Sequence, residues 1–208
     1  MLDADERRRA DAFRRVANRA LFVAAHVERR RILARYLDGT DAAGLRFRVG
    51  PHGKPSLDGA ALDLRFNLAH TDGLVLVAVG LGVEVGVDGE RRSDRPVDDA
   101  LLDVAFAPEE RAAVRALDEP ARRRAFFATW ARREAYLKAL GVGLTIPVEE
   151  AAVSVDPDAP ATVVRPWREA RARFALVDLP VGDEWAAALA VEAQPGAPPI
   201  APRLFLVA

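Results

Sequence analysis

Residues 62–90 run Leu62-Asp63-Leu64-Arg65-Phe66-Asn67-Leu68-Ala69-His70-Thr71-Asp72-Gly73-Leu74-Val75-Leu76-Val77-Ala78-Val79-Gly80-Leu81-Gly82-Val83-Glu84-Val85-Gly86-Val87-Asp88-Gly89-Glu90. Leu62 to Ala69 alternates loosely, and Leu74 to Val79 is a near-continuous apolar run. Val83, Val85 and Val87 then alternate with Glu84, Gly86 and Asp88. Period-two patterning and short glycine-bearing connections predict three adjacent strands. Upstream, residues 5–37 contain no Gly or Pro and place Phe13, Val16, Ala20, Val23, Ala24 and Val27 at spacings of three and four, then Ile32 and Leu33. This predicts one amphipathic helix, or two abutting ones, with that stripe inward. Downstream, Arg91-Arg92-Ser93-Asp94-Arg95-Pro96 is charged and closed by Pro, and marks a boundary between lobes 1–95 and 96–208. Pro108-Glu109-Glu110 has the acids and proline of a helix start. Ala121 to Leu140 reads as a long helix stopped by Gly141 and Gly143, and Val148–Val155, Arg173–Leu179 and Trp185–Glu192 read as strands. Each half runs helix first and strands after, so the expected class is α/β (α+β).

Composition narrows the function. The 208 residues carry 30 basic and 31 acidic side chains, a formal charge of -1, so no global field draws the chain to nucleic acid or an anionic membrane. Any anion site must be local. No cysteine is present, which removes disulfides, thiolate catalysis and Cys-ligated metals. The N-terminus is polar and acidic, and the longest apolar run, Leu74 to Val83, is about half of the roughly 20 residues a bilayer span needs. A cytoplasmic chain with no membrane segment is expected. Arginines 7–9, 14, 15, 19 and 29–31 make one helical region basic, but without interleaved aromatics suited to base stacking.

Three groups of residues could carry chemistry. Asp88 and Glu90 stand two apart at a strand end, so both side chains leave one face. Two carboxylates with no sulfur or nitrogen partner suit a hard cation such as Mg²⁺, though Asp-x-Glu is also common on solvated strand ends. Trp130, Glu134 and Lys138 fall at i, i+4 and i+8 of the long helix. A Glu-to-Lys helical pair explains the last two, and so does a place at the core's edge, where a carboxylate could complete a metal site or act as a base. Lys54 in the Gly53-Lys54-Pro55 loop and His70 at a strand end could each meet a phosphate.

Four blocks taken in order, Gly53-Lys54-Pro55, Phe66-Asn67-Leu68-Ala69-His70-Thr71, Val85-Gly86-Val87-Asp88-Gly89-Glu90 and Trp130-Ala131-Arg132-Arg133-Glu134-Ala135-Tyr136-Leu137-Lys138-Ala139-Leu140-Gly141, resemble the 4′-phosphopantetheinyl transferase superfamily. The resemblance is to its two-lobed class that activates surfactin synthetase and similar enzymes, and it runs from about Leu2 to Glu192. It implies a pseudodimer of two similar α/β lobes with the active site in the cleft between them. It implies a holo-[acyl-carrier-protein] synthase type of activity, moving the phosphopantetheine arm of coenzyme A onto a serine of an apo acyl or peptidyl carrier protein and releasing 3′,5′-adenosine bisphosphate. Asp88, Glu90 and Glu134 would match the Mg²⁺ ligands. Glu134 would also match the base, with Lys138 and His70 neutralising phosphate charge. Lys54, Arg19 and, by helix pattern alone, Arg9 would match positions near the coenzyme A phosphates. A monomer is the implied default, in fatty-acid, polyketide or nonribosomal-peptide biosynthesis. Gly89 replaces a branched residue usual between the two acids, Ala69 a frequent Ser, and Met1 lies almost at the first helix, where the family has a strand. A second reading, a coenzyme A- or carrier-binding homologue without turnover, rests on those departures.

Overall fold

A computed structural model describes residues 1–59, 62–170, 172–193 and 201–205. The element order is α1 (Ala4–Asp11), α2 (Val16–Ala34), β1 (Phe47–Val49), β2 (Pro55–Leu57), β3 (Leu64–Thr71), β4 (Leu74–Leu81), β5 (Val85–Arg91), α3 (Asp99–Ala105), α4 (Pro108–Arg115), α5 (Ala121–Leu140), β6 (Ala152–Val153), β7 (Val163–Arg165), β8 (Arg173–Asp178) and β9 (Trp185–Ala193). This is the α+β class expected. Among the described residues no helix is long and apolar enough to cross a membrane.

The three strands read from residues 62–90 form as β3, β4 and β5, but their pairing is not sequential throughout. β3 and β4 close an antiparallel hairpin in which Thr71 faces Leu74 around Asp72-Gly73, Gly73 taking a φ of +76° that favours glycine. β5 instead pairs antiparallel with β9, from Val85 opposite Val191 to Arg91 opposite Trp185, and β8 flanks β9 on the other side. The central sheet therefore crosses the 1–95/96–208 division, although the chain between β5 and α3 is irregular as the Arg- and Pro-bearing stretch implies. The buried amide of Asn67 stitches the two sheets together, its Oδ1 accepting from the Val87 N–H at 3.0 Å.

α5 has the predicted bounds. Ala, Arg, Leu, Glu and Lys favour the helix, and Gly141 ends it with φ +71°, its N–H donating to Leu137 O. Its buried stripe of Ala131, Ala135, Tyr136 and Ala139 packs on Leu176, Ala186, Ala188 and Ala190 of β8 and β9. Small residues on both sides bring helix and sheet backbones close. On β5 the approach is closer still: a Cβ on Gly86 would lie 2.2 Å from Ala135 O and 2.3 Å from Ala139 N.

The first helical region forms two helices, one of the two arrangements expected, and departs from expectation in the face it buries. It divides at residues 12–15, and α1 starts on a capping box in which Asp3 Oδ1 accepts from Glu6 N and Glu6 Oε2 from Asp3 N. More consequentially, α2 buries Phe22, Ala25, His26, Arg29, Arg30 and Leu33, and leaves the Val16/Ala20/Val23/Ala24/Val27 stripe outward. The reason is a charged core. The Arg30 guanidinium is fully buried, donating to Glu6 Oε2 at 2.8 Å, Asp3 Oδ2 at 2.6 Å and Leu45 O at 2.9 Å, while Arg29 pairs with Glu6 and stacks over the Phe47 ring at 4.1 Å. Buried, paired and stacked arginines are outside what hydrophobic periodicity can see. The expected strand Val148–Val155 is correspondingly short: residues 148–150 form a 3₁₀ turn, and only Ala152–Val153 pair, with β7.

Candidate active site

The site grows from the two faces of β5. Its odd-numbered residues face the β3–β4 hairpin, as shown by Val87, which packs with Ala69, Leu76 and Ala78, and by Gly89, whose missing Cβ would meet Leu76 and Leu74 side chains. Its even-numbered residues face α5, as shown by Gly86 against Ala135 and Ala139. Asp88 and Glu90 continue that second face, so strand alternation aims both carboxylates at the helix turns that carry Glu134 and Lys138.

Asp88 is buried. One oxygen, Oδ1, accepts from Lys138 Nζ at 2.5 Å; the other, Oδ2, is buried with no hydrogen-bond partner. Burial pushes the Asp88 carboxyl above the usual carboxylate range, and the Lys138 ammonium pulls it back only in part. Glu90 is raised by burial and by the Asp88 charge, against the opposing pull of Lys138 and the Trp130 indole N–H. Glu134 is raised by burial and again by Asp88, with Lys138 and Arg133 opposing. Three mutually repelling carboxyls thus share one half-buried ammonium, an arrangement short of positive charge.

His70 is at the edge of this group. Its imidazole is held below its ordinary value first by burial and then by Lys138, which places it on the lysine's side of the cluster. His26 continues the line. It stacks on Phe22 with ring centroids 3.8 Å apart, its Nδ1–H donates to Phe22 O at 2.9 Å, and burial followed by Arg29 pushes it down to about 4, with smaller contributions from Arg9 and His70. Arg9 lies over the same Phe22 ring, 5.2 Å from its centroid. Sequence reasoning did not single out His26 or Asn67; a buried histidine on a helix that also buries two arginines was the available signal, hidden by the misphased stripe. Two residues expected near phosphates stand elsewhere. Arg19 is on the outward side of α2, paired with Asp11 at 2.7 Å, and lines a groove of about 470 Å³ beside Val16, Ala20 and Val23. Lys54 lies at the C-terminal end of α5, with its three N–H donors all taken within the protein.

The donor set fits a hard divalent cation. Asp88, Glu90 and Glu134 supply only oxygens, and the unpartnered Asp88 Oδ2 is an acceptor in want of a cation. Among the described residues no three acidic or histidine side chains stand close enough to enclose an ion as they are, so the glutamates would have to turn inward. The charge shortage has a measurable consequence. A carboxyl whose folded-state pKa is raised holds more protons folded than unfolded, so its cost to stability sets in as pH rises through the unfolded value and is complete above the folded one. The cluster therefore carries a larger penalty at pH 7.5 than at pH 5, and millimolar Mg²⁺ is expected to raise the melting temperature more at the higher pH, by differential scanning fluorimetry with Ca²⁺ and Na⁺ as comparisons. Equal shifts at both pH values would detach the effect from these carboxyls.

Fold and site together define an α+β protein with a carboxylate, lysine and histidine centre on a helix–sheet seam. A sequence model of the 4′-phosphopantetheinyl transferase superfamily matches residues 84–190, which include β5, α5 and β9. The 4′-phosphopantetheinyl transferase HetI of Nostoc sp. is 34% identical over 194 residues, 91% of this chain and 78% of that protein. A 4′-phosphopantetheinyl transferase of Bacillus subtilis is 28% identical over 128 residues, 62% of this chain and 55% of the relative's own length. Among solved structures, the holo-(acyl-carrier-protein) synthase of Bacillus anthracis in complex with CoA (3′,5′-ADP) gives a TM-score of 0.44 at 18% identity, over 52% of this chain and 94% of that one. The chain belongs to the 4′-phosphopantetheinyl transferase superfamily.

Proposed function

We propose that the chain transfers the 4′-phosphopantetheine arm of coenzyme A to a serine hydroxyl of an apo acyl or peptidyl carrier protein, in the manner of a holo-carrier-protein synthase, and releases 3′,5′-adenosine bisphosphate. The observation that carries this reading is the buried Asp88 carboxylate on β5, bonded to Lys138 of α5 through one oxygen and unpartnered at the other. The relatives that bear this activity by name support the same reaction. In it the serine oxygen forms a bond to the pantetheine-side phosphorus, and the bond from that phosphorus to the bridging oxygen breaks, its electron pair leaving with the adenosine bisphosphate.

Glu134 is the base in this account. Its raised proton affinity brings it nearer the range in which a carboxylate can take the serine proton, and the half-buried position on α5 keeps it beside Asp88. Lys138 and His70 offset the charge of the leaving phosphate, with the Arg9 guanidinium beyond them on α1; His26, pushed down to about 4, is neutral and adds no charge. Asp88, Glu90 and Glu134 would hold Mg²⁺, which when bound supplies charge neutralisation and orientation of the pyrophosphate. The lobes 1–95 and 96–208 would face each other across this seam as a pseudodimer within one chain, so a cytoplasmic monomer suffices. Chromatographic detection of 3′,5′-adenosine bisphosphate tests the reading. The product is expected only when coenzyme A, an apo carrier and Mg²⁺ are all present; coenzyme A binding without any product would favour the homologue without turnover.

A further inference from the structure

Lys54 immediately precedes β2 in the first half of the chain, yet each of its ammonium hydrogens is spent on the β5–α5 seam. Nζ donates to Glu84 Oε2 at 2.6 Å, to Val85 O at 3.1 Å at the start of β5, and to Ala139 O at 2.9 Å in the last turn of α5. The side chain is largely buried, 18% exposed, and its ammonium meets the helix where carbonyls lack intrahelical partners and a positive charge is favoured. Glu84 is itself held in place by Arg65 at 3.3 Å and by Glu192, whose Oε2 accepts from Glu84 N at 3.0 Å. Gly141 makes room for the lysine stem: a Cβ there would stand 3.2 Å from Lys54 Cδ.

The acceptors bracket the close approach of Gly86 to α5. Val85 precedes Gly86, and Ala139 is the residue whose backbone Gly86 touches. Asp88 lies two residues beyond on the strand, and Lys138 immediately before Ala139 on the helix. Resting on the proposed transfer reaction, we propose that Lys54 is a positioning residue that fixes the spacing of β5 and α5, and through it the Asp88–Lys138 contact, instead of contacting a phosphate of the substrate. A ligand phosphate has no free N–H to meet at Lys54 in this arrangement.

The test uses the full chain with Lys54→Met, which keeps the stem and removes the donors, and Glu84→Gln, which keeps the two carbonyl bonds and weakens the ion pair. Lys54→Met is expected to lower kcat about 10- to 100-fold, the scale of a misplacement near 1 Å, while KM for coenzyme A stays within about twofold. Glu84→Gln is expected to lower kcat in the same direction by less. A second readout needs no substrate: the NMR titration midpoint of His70, depressed in part by Lys138, is expected to rise in Lys54→Met as α5 carries that charge away. A His70 shift in a chain that shows no transfer at all would uphold the positioning role while sinking the reaction. A several-fold rise in KM with kcat and His70 unchanged would overturn the proposal in favour of a phosphate contact, and so would the absence of any change in kcat or His70 in both variants.

Discussion

An Asp88→Asn chain is expected to fold as the wild type does and to transfer at least about 10³-fold more slowly, measured by carrier modification at saturating coenzyme A. Asparagine keeps the shape and one acceptor for Lys138, so the seam between β5 and α5 stays closed. It removes the negative charge that a divalent cation and Lys138 both use, in a buried place where charge is worth most. Stability moves little. The native Asp88 carboxyl is raised by burial more than Lys138 restores it, so at neutral pH the ionised group carries a net cost that the amide does not. Lys138, about 30% exposed, can turn to water instead of remaining buried and unpaired. The melting temperature without Mg²⁺ should therefore fall by no more than a few degrees, and the Mg²⁺-dependent rise should disappear. Transfer at more than a tenth of the wild-type rate would remove Asp88 from the site.

The largest effect on folding is expected at Gly86, two residues away. A methyl group there would collide with Ala135 O and Ala139 N, which are backbone atoms of a 20-residue helix and cannot rotate aside. Helix and strand must separate, opening the alanine-lined contact with β8 and β9 as well. Gly86→Ala is expected to cost about 3 kcal/mol or more, at the upper end for overpacked cores, which for a chain of this size lowers the melting temperature by roughly 10 °C. Gly89→Ala on the same strand is the internal comparison. Its Cβ would crowd the ends of Leu76 and Leu74, at 2.8 and 3.2 Å, with Ala187 Cβ at an ordinary 3.7 Å, and the leucine side chains can shift rotamer, so the expected cost is about 1 kcal/mol or less. Calorimetric melting of the two variants side by side checks the ranking. Equal losses would mean that β5 does not present its even face to α5.

The ranking also shows what periodicity could and could not reveal. The bounds of α5 and the turn between β3 and β4 were legible because glycine punctuation and local patterning set them, Gly141 in the left-handed region and Gly73 in the turn, while β3 and β4 each run two residues past the ends read from the pattern. The facing of Asp88 and Glu90 was legible from alternation alone. The pairing of β5 with β9 was not, because its partner lies about a hundred residues downstream and strand patterns do not name partners. The inward face of α2 was misread because Arg29 and Arg30, the residues it buries most firmly, are charged, and the carboxylates that permit it belong to Asp3 and Glu6 on another helix. Lys54 follows the same rule. Its loop suggested an exposed cation, and only the tertiary approach of Ala139 and Val85 absorbs its donors. The carboxylates named from the family resemblance lie on the seam's two elements, β5 and α5, but the resemblance could not say that Asp88 keeps one oxygen unpartnered.

The central claim is that this seam moves a phosphopantetheine arm with the help of a divalent cation. Its most direct test is intact-mass spectrometry of apo carrier proteins of the fatty-acid, polyketide and nonribosomal-peptide types incubated with the chain, coenzyme A and Mg²⁺, beside an EDTA control. The account predicts that at least one carrier gains the mass of a single phosphopantetheine arm, and that EDTA abolishes the gain. Carriers of every type left unchanged, by a chain that binds coenzyme A, would contradict it.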